Sequence, residues 1–256
     1  MKEPSMIQRI ALITGGSRGL GRSMALHLAQ AGVDIVFTYQ RNAAAAQEVA
    51  ARIEALGRCA AALQLDTGDS AGFAAFAGQV RATLAEWGAE RFDILVNNAG
   101  AGLHTPLLDV TEAQFDSIVA MHMKSVVFLT PLLLPLLNDG GRILNVSSGL
   151  TRFSLPGYGV YAAAKGAVEV LTRYQAREFA GRGITVNTLA PGAIETDFGG
   201  GAVRDNPELN RMVASMTALG RAGQPDDIGA AVAALLAEGN GWMTGQRIEV
   251  SGGMLL

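Results

Sequence analysis

Arg9-Ile10-Ala11-Leu12-Ile13-Thr14-Gly15-Gly16-Ser17-Arg18-Gly19-Leu20-Gly21 is the stretch whose reading decides the fold. A short apolar run ends in a glycine-rich turn, and the turn opens onto a helical pattern over Leu20–Gln30. Glycines at a strand-to-helix turn let the backbone approach a pyrophosphate closely, and the helix N-terminus adds free N–H groups and a favourable dipole. The spacing is G-x3-G-x-G rather than G-x-G-x-x-G. A glycine turn alone is common; its position at the first strand-to-helix junction of the chain is what gives it weight.

Outward from this turn, short apolar runs alternate with Ala- and Leu-rich helical stretches. The strand candidates are Arg9–Ile13, Asp34–Tyr39, Ala60–Leu65, Asp93–Val96, Arg142–Val146, Thr185–Leu189 and Arg247–Val250. The helical candidates are Leu20–Gln30, Ala43–Leu56, Ser70–Trp87, Glu112–Leu137, Val160–Ala180 and Asp226–Leu236. Apolar strands alternating with helices predict an α/β Rossmann fold, a doubly wound parallel sheet of about seven strands covered on both faces. No repeat or linker divides the chain, so residues 1–256 read as one domain. Thr196–Leu219, rich in Gly and Asn, reads as an irregular loop closing over a substrate.

The ends of the strands should line a dinucleotide groove. The second strand ends in Thr38-Tyr39-Gln40-Arg41-Asn42, without the acid that would accept from a ribose 2′-hydroxyl. Arg18 in the glycine turn and Arg41 after the strand supply two guanidinium groups suited to a 2′-phosphate, which predicts NADP(H) over NAD(H). Asp66-Thr67 ends the third strand, in position to meet adenine or to cap the following helix. Asn97-Asn98-Ala99-Gly100 ends the fourth, small enough for a cofactor to cross the sheet edge or simply to turn.

A second stretch, Ser148 to Lys165, holds a hydroxyl, a phenol and an amine. Tyr161 and Lys165 are four apart, on one face of a helix if that segment is helical. An ammonium near a phenol lowers its pKa from about 10 and makes it a usable proton donor. Ser148 follows the apolar run at 142–146 and is expected at the C-terminal end of a strand.

In this order and spacing the motifs resemble the short-chain dehydrogenase/reductase family, across essentially the whole chain. They are T-G-G-S-R-G-L-G, Asp66, N-N-A-G at 97–100, Ser148 thirteen residues before Tyr161, Tyr161-x3-Lys165 and P-G-A-I-E-T at 191–196. The ending G-Q-R-I-E-V-S-G-G-M is similar to that of 3-oxoacyl-[acyl-carrier-protein] reductases. The resemblance implies a homo-oligomer, dimer or tetramer, packed through Glu112–Leu137 and Val160–Ala180. It implies a catalytic set of Ser148, Tyr161 and Lys165. Tyr161 would protonate a substrate carbonyl, Ser148 would hold the same oxygen, and Lys165 would tune the phenol and bond the nicotinamide ribose. Gly15, Ser17, Arg18, Gly19 and Leu20 would cradle phosphates, with Tyr39, Arg41, Asp66, Thr67, Asn98, Ala99 and Gly100 along the adenosine side. Pro191, Gly192, Ile194 and Thr196 would hold the nicotinamide. Where the family places a relay Asn in the long helix, this chain has His122: either its imidazole holds the same relay and titrates between roughly pH 5.5 and 7.5, or it is an ordinary helix residue and the relay is lost or rerouted. Tyr158, seven before Lys165, has the tyrosine-lysine spacing of related enoyl reductases; with Ser148 and the glycine turn present, carbonyl chemistry is preferred and Tyr158 becomes a pocket wall. His104, Leu150, Phe153, Leu155, Tyr158 and Phe198 are the substrate-facing candidates, suited to a hydrophobic ketone.

Composition bounds the alternatives. A net charge of −3 carries no basic stripe for nucleic acid. The one cysteine, Cys59, rules out an intrachain disulfide, and three scattered histidines make no metal cluster. No apolar leader segment opens the chain, and Val126–Leu137 is too short to span a bilayer, so a cytoplasmic enzyme without membrane partners is expected. The competing class is a nucleotide-binding regulator that has lost catalysis, or an enoyl reductase using Tyr158.

Overall fold

The computed structural model describes residues 9–256. The stretch read for a leader, residues 1–8, lies outside the described residues. The seven strands are β1 (Arg9–Ile13), β2 (Val33–Tyr39), β3 (Ala60–Gln64), β4 (Phe92–Asn97), β5 (Leu137–Val146), β6 (Thr185–Pro191) and β7 (Arg247–Val250). They form one parallel sheet in the order β3-β2-β1-β4-β5-β6-β7. The chain reverses its winding between β1 and β4, and the glycine turn leaves β1 at that switch point, where open α/β sheets bind ligands.

Strand alternation feeds two cores. Ala11 and Ile13 pack with helices α1 (Gly19–Gln30), α2 (Ala43–Ala55) and α9 (Pro225–Leu235) through Met24, Leu28, Val49, Ile53, Ile228 and Val232. Ile10 and Leu12 face the other side, against α3 (Phe73–Glu86), α5 (Ser125–Leu133) and α6 (Gly159–Phe179), through Phe73, Phe76, Leu84, Leu129, Leu133 and Ala176. Successive strand residues point to opposite faces, so a strand apolar at every position requires both faces covered.

The structure departs from the sequence reading in three places. The helix expected over Glu112–Leu137 is four pieces: α4 (Glu112–Ile118), a π-helical turn over Val119–Lys124, α5, and a 3₁₀ turn over Leu134–Leu136. The π turn inserts an extra residue into the helical repeat and so re-aims the side chains around His122, a deviation common at functional sites. The stretch Glu112–Leu136 is long and apolar enough to cross a membrane by length and composition alone, yet its buried Leu129 and Leu133 pack into the core beneath the sheet. β5 begins at Leu137, five residues earlier than expected, because Leu137 pairs with Phe92. Finally, Thr196–Leu219 is largely helical, with a 3₁₀ turn at Phe198–Gly201, α7 (Ala202–Asp205) and α8 (Pro207–Ser215). The Asn that suggested a loop is a cap: Asn206 Oδ1 accepts from the amides of Glu208 and Leu209 at 2.9 and 3.1 Å.

A buried polar ladder holds α6 on the sheet. Asn97 donates to Asn145 Oδ1 at 2.8 Å, and the Asn145 amide donates to Thr172 Oγ and Gln175 Oε1, both at 2.9 Å. Thr188 donates to Thr172 at 2.8 Å. These groups come from β4, β5, β6 and α6, and all are buried. A satisfied buried network of this kind fixes one register of helix on sheet, and α6 is the helix that carries the expected catalytic residues.

Candidate active site

At the glycine turn, two threonines that the sequence reading passed over organise the backbone. Thr14 Oγ accepts from the amides of Asn98 and Ala99, both at 3.0 Å, and Thr38 Oγ accepts from Gly15 N at 2.9 Å. Asn98 donates its side-chain amide to the carbonyls of Thr14 and Gly15 at 2.9 and 3.1 Å, so its amide braces the turn. Hydroxyls at the ends of adjacent parallel strands were the available signal. Gly15 and Gly19 are left-handed (φ 71° and 54°), and a Cβ on Gly21 would stand 2.1 Å from the Gly15 carbonyl. Glycine permits the left-handed backbone at 15 and 19, and Gly21 lets α1 close onto the turn, so the turn fits a dinucleotide.

Around that groove, Arg18 and Arg41 are exposed, and neither makes an ion pair among the described residues. Ser17, Leu20 and Tyr39 are half-buried along the same edge. Asp66 turns one oxygen onto Gly68 N at 2.8 Å. Thr67 is buried. On the far side, Pro191 ends β6, and Gly192 lies so close to Ser251 that a Cβ would meet it at 2.8 Å. Ile194 bridges to Gly223, and buried Thr196 faces Gly19 across the groove, its Cβ 3.6 Å from where a Gly19 side chain would begin.

Ser148, Tyr161 and Lys165 meet where β5 ends and α6 begins. Tyr161 and Lys165 are buried, each 5% exposed. The amine does not seek the phenol: Lys165 Nζ donates to the Val146 carbonyl at 2.7 Å and stands 5.9 Å from the Tyr161 ring centre. This corrects the expected effect of Lys165 on the phenol. Burial pushes Tyr161 up to about 12, with the Ser148 hydroxyl pulling in the opposite direction. Burial lowers Lys165 to about 7, which weakens the pull of its charge on the phenol. Ser148 itself is half-buried and accepts from Leu150 N at 3.2 Å.

His122 sits edge-on to Tyr161, ring centres 5.3 Å apart. Its Nε2–H donates to the Ala101 carbonyl at 2.7 Å. A carbonyl only accepts, so the proton is on Nε2 and Nδ1 is a bare acceptor in the neutral ring. That Nδ1 is buried without a protein partner. Burial, then the nearby Lys165, lower the imidazole to about 3. The expected titration between pH 5.5 and 7.5 is therefore corrected: His122 is neutral throughout that range. A cavity of about 10 Å3 lies between His122, Lys165, Ser125, Asn97 and Thr67. Gly100 abuts the imidazole so closely that a Cβ would lie 2.4 Å from its Cε1.

Three rings at the mouth each rest on a glycine. Phe198 lies on Gly102, His104 on Gly157 and Phe153 on Gly149, with would-be Cβ contacts of 2.9, 2.6 and 3.0 Å. Phe198 also covers Tyr161, ring centres 5.7 Å apart, and Tyr158 meets His104 edge-on at 4.9 Å. Leu150 and Leu155 are half-buried on the same loop as Phe153. Leu107, absent from the sequence candidates, packs over Gly159 at the start of α6. Arg152 is no anion site: it pairs with Glu249 and donates to the carbonyls of Met254 and Leu255.

A family model described as enoyl-(acyl carrier protein) reductase matches residues 15–255. The short-chain dehydrogenase/reductase FrzI of Cladobotryum sp is 36% identical over 98% of both chains. The 3-oxoacyl-[acyl-carrier-protein] reductase FabG of Staphylococcus aureus is 36% identical over 96% of this chain and 98% of its own. Among solved structures, the angucycline C-6 ketoreductase LanV with bound NADP superposes with a TM-score of 0.91, at 37% identity over 96% of this chain and 95% of its own. The same LanV is also solved with NADP and rabelomycin bound.

Proposed function

We propose that this chain, a member of the short-chain dehydrogenase/reductase family and an oxidoreductase of the CH–OH/C=O type, is an NADP(H)-dependent carbonyl reductase with Tyr161 as its proton donor. The observation that carries this reading is the convergence of Ser148, Tyr161 and Lys165 at the C-terminal end of β5, beside a glycine turn shaped for a dinucleotide. A bound nicotinamide supplies the hydride. Arg18 and Arg41 hold the 2′-phosphate; Gly15, Gly19 and Leu20 the pyrophosphate; Pro191, Gly192, Ile194 and Thr196 the nicotinamide end. Ser148 holds the carbonyl oxygen against Tyr161, and Tyr161, whose burial favours the protonated phenol, donates to it. The cavity shared by His122 and Lys165 has the volume of one water. A water held there would bridge His122 Nδ1 and the amine, with His122 as a fixed acceptor rather than a titrating acid.

Tyr158 is engaged with His104, while Tyr161 is the tyrosine that the Ser148 hydroxyl acts on, which favours carbonyl over C=C reduction. The substrate is a neutral ketone with a flat apolar body. The mouth is built of Leu107 and of the rings of Phe198, Phe153, Tyr158 and His104, which favour stacking. The mouth segments 100–111, 147–159 and 193–219 carry three cations against five acids. Of those cations, Arg152 and Arg204 are spent on Glu249, Asp197 and Asp205. A phosphate-bearing thioester arm therefore finds little to hold it, and LanV offers the parallel of an enzyme solved with rabelomycin.

The enzyme works as a cytoplasmic homo-oligomer. Phe115 on α4, Met123 in the π turn, Phe128 and Leu132 on α5, and Val170 and Tyr174 on α6 are exposed apolar side chains suited to a second copy. Light scattering that finds a monomer at micromolar concentration overturns this. The test of the main reading is NADPH oxidation against a panel of aromatic and aliphatic ketones, with Tyr161→Phe as control. Turnover that Tyr161→Phe removes while NADPH still binds supports the reading. Tight NADPH binding with no turnover of any ketone favours a regulator instead.

A further inference from the structure

Glu169 lies one helical turn beyond Lys165 on α6, and takes no part in the reaction described above. A single carboxylate oxygen, Oε1, accepts from three donors. The Ser147 hydroxyl and the Thr151 hydroxyl each stand at 2.7 Å, and Arg247 Nε at 3.0 Å. Each hydroxyl has a second acceptor in reach: Ser147 the Lys165 carbonyl at 3.3 Å, Thr151 the Ser148 carbonyl at 2.9 Å. One proton serves one acceptor, and the carboxylate is the stronger.

These donors bracket Ser148. Ser147 precedes it, Thr151 closes the turn after it, and Arg247 reaches its carbonyl from Nη2 at 3.4 Å. Arg247 also donates to Glu249 at 2.8 Å, and Glu249 takes a two-pronged pair from Arg152 at 2.7 and 2.9 Å. Two carboxylates and two guanidiniums thus balance in charge. Glu169 is only 14% exposed at its side chain and Glu249 19%, so the network is worth more than a surface pair. The Ser148 hydroxyl is left outside the network, free to face Tyr161.

We propose that Glu169 is a positioning residue that clamps the Ser148 turn to the helix carrying Tyr161 and Lys165, so that one carboxylate sets the spacing of the serine and tyrosine hydroxyls. The proposal rests on the role given above to Ser148. It predicts an effect on turnover routed through Ser148 and not on the cofactor groove, since none of the clamp's partners lies at the glycine turn.

The experiment is a double-mutant cycle read by NADPH-dependent ketone reduction, with NADPH affinity measured by fluorescence. Glu169→Ala is expected to lower kcat on the order of 10- to 100-fold, the loss that small misplacements of a reacting group produce, with NADPH affinity unchanged. Glu169→Gln keeps an acceptor for Ser147 and is expected to recover most of that loss. In a Ser148→Ala background, Glu169→Ala is expected to cost little more. Thr151→Val removes one clamp hydroxyl without touching the ion pairs, and repeats the comparison should Glu169→Ala fail to fold. Equal fractional losses in both backgrounds, or weakened NADPH binding, overturn the clamp alone. A Ser148→Ala enzyme as active as the parent overturns the role of Ser148 and the clamp with it.

Discussion

His122 gives its Nε2 proton to the Ala101 carbonyl at 2.7 Å and is thereby left with a buried, bare Nδ1 beside Lys165. The ring is held neutral down to about pH 3, whereas Lys165 titrates near 7. The pH dependence of kcat/KM for ketone reduction should therefore show one ionisation near 7, with rate falling as the amine loses its charge above it. His122→Asn should keep that limb. If the limb vanishes in His122→Asn, the ionisation belongs to the imidazole and this assignment is wrong. Stability offers a second readout. The folded pKa of His122 is depressed from 6.5 to about 3, so the unfolded chain binds the extra proton. Stability is fully present above about 6.5 and falls as pH drops through the window toward 3. The His122→Asn protein should lose stability less steeply over that range in urea titrations at stepped pH.

Arg18 and Arg41 stand exposed at the edge of the glycine turn. Charge-assisted contacts to a phosphate are worth about 1.5–3 kcal/mol. Arg41→Ala should raise KM for NADPH roughly 10- to 100-fold and leave KM for NADH nearly unchanged. Equal effects on both cofactors would remove Arg41 from the 2′-phosphate site.

Phe198 lies over Tyr161 and is followed by Gly199, Gly200 and Gly201, all left-handed. A ring hinged on three such glycines can swing clear and then stack on a flat substrate. Phe198→Ala should raise KM for bicyclic aromatic ketones roughly tenfold, the worth of one aromatic contact with its buried area. Small aliphatic ketones should be little affected. A uniform loss across both classes would mean that Phe198 supports Tyr161 rather than the substrate.

Asn145 sits fully buried between β4, β6 and α6, with three side-chain hydrogen bonds. Asn145→Ala removes all three bonds and leaves Gln175 Oε1 buried without its donor, while Asn97 falls back on Thr130 and Thr172 on Thr188 and the Val168 carbonyl. The expected cost is about 3 kcal/mol, a fall in Tm of about 6–12 °C for a chain of this size. A calorimetric shift under 2 °C would show that the network relaxes onto other partners.

What the sequence by itself determined was everything set by local pattern. Apolar runs buried on both faces announce parallel strands, glycines mark a strand-to-helix turn that needs left-handed backbone, and the four-residue spacing of Tyr161 and Lys165 puts them on one helix face. Only the tertiary structure decided how those groups behave. The π turn that carries His122 packs directly on α6, and no spacing in the chain records it. The pKa values of Tyr161, Lys165 and His122 follow from desolvation, which depends on what lies on every side of a group rather than on its neighbours in sequence. Glu169, Ser147, Thr151 and Arg247 meet because β7 pairs beside β6, bringing residues 78 positions apart onto one carboxylate oxygen. Long-range contacts of that kind carry no periodicity, so they become visible only when the sheet order is known.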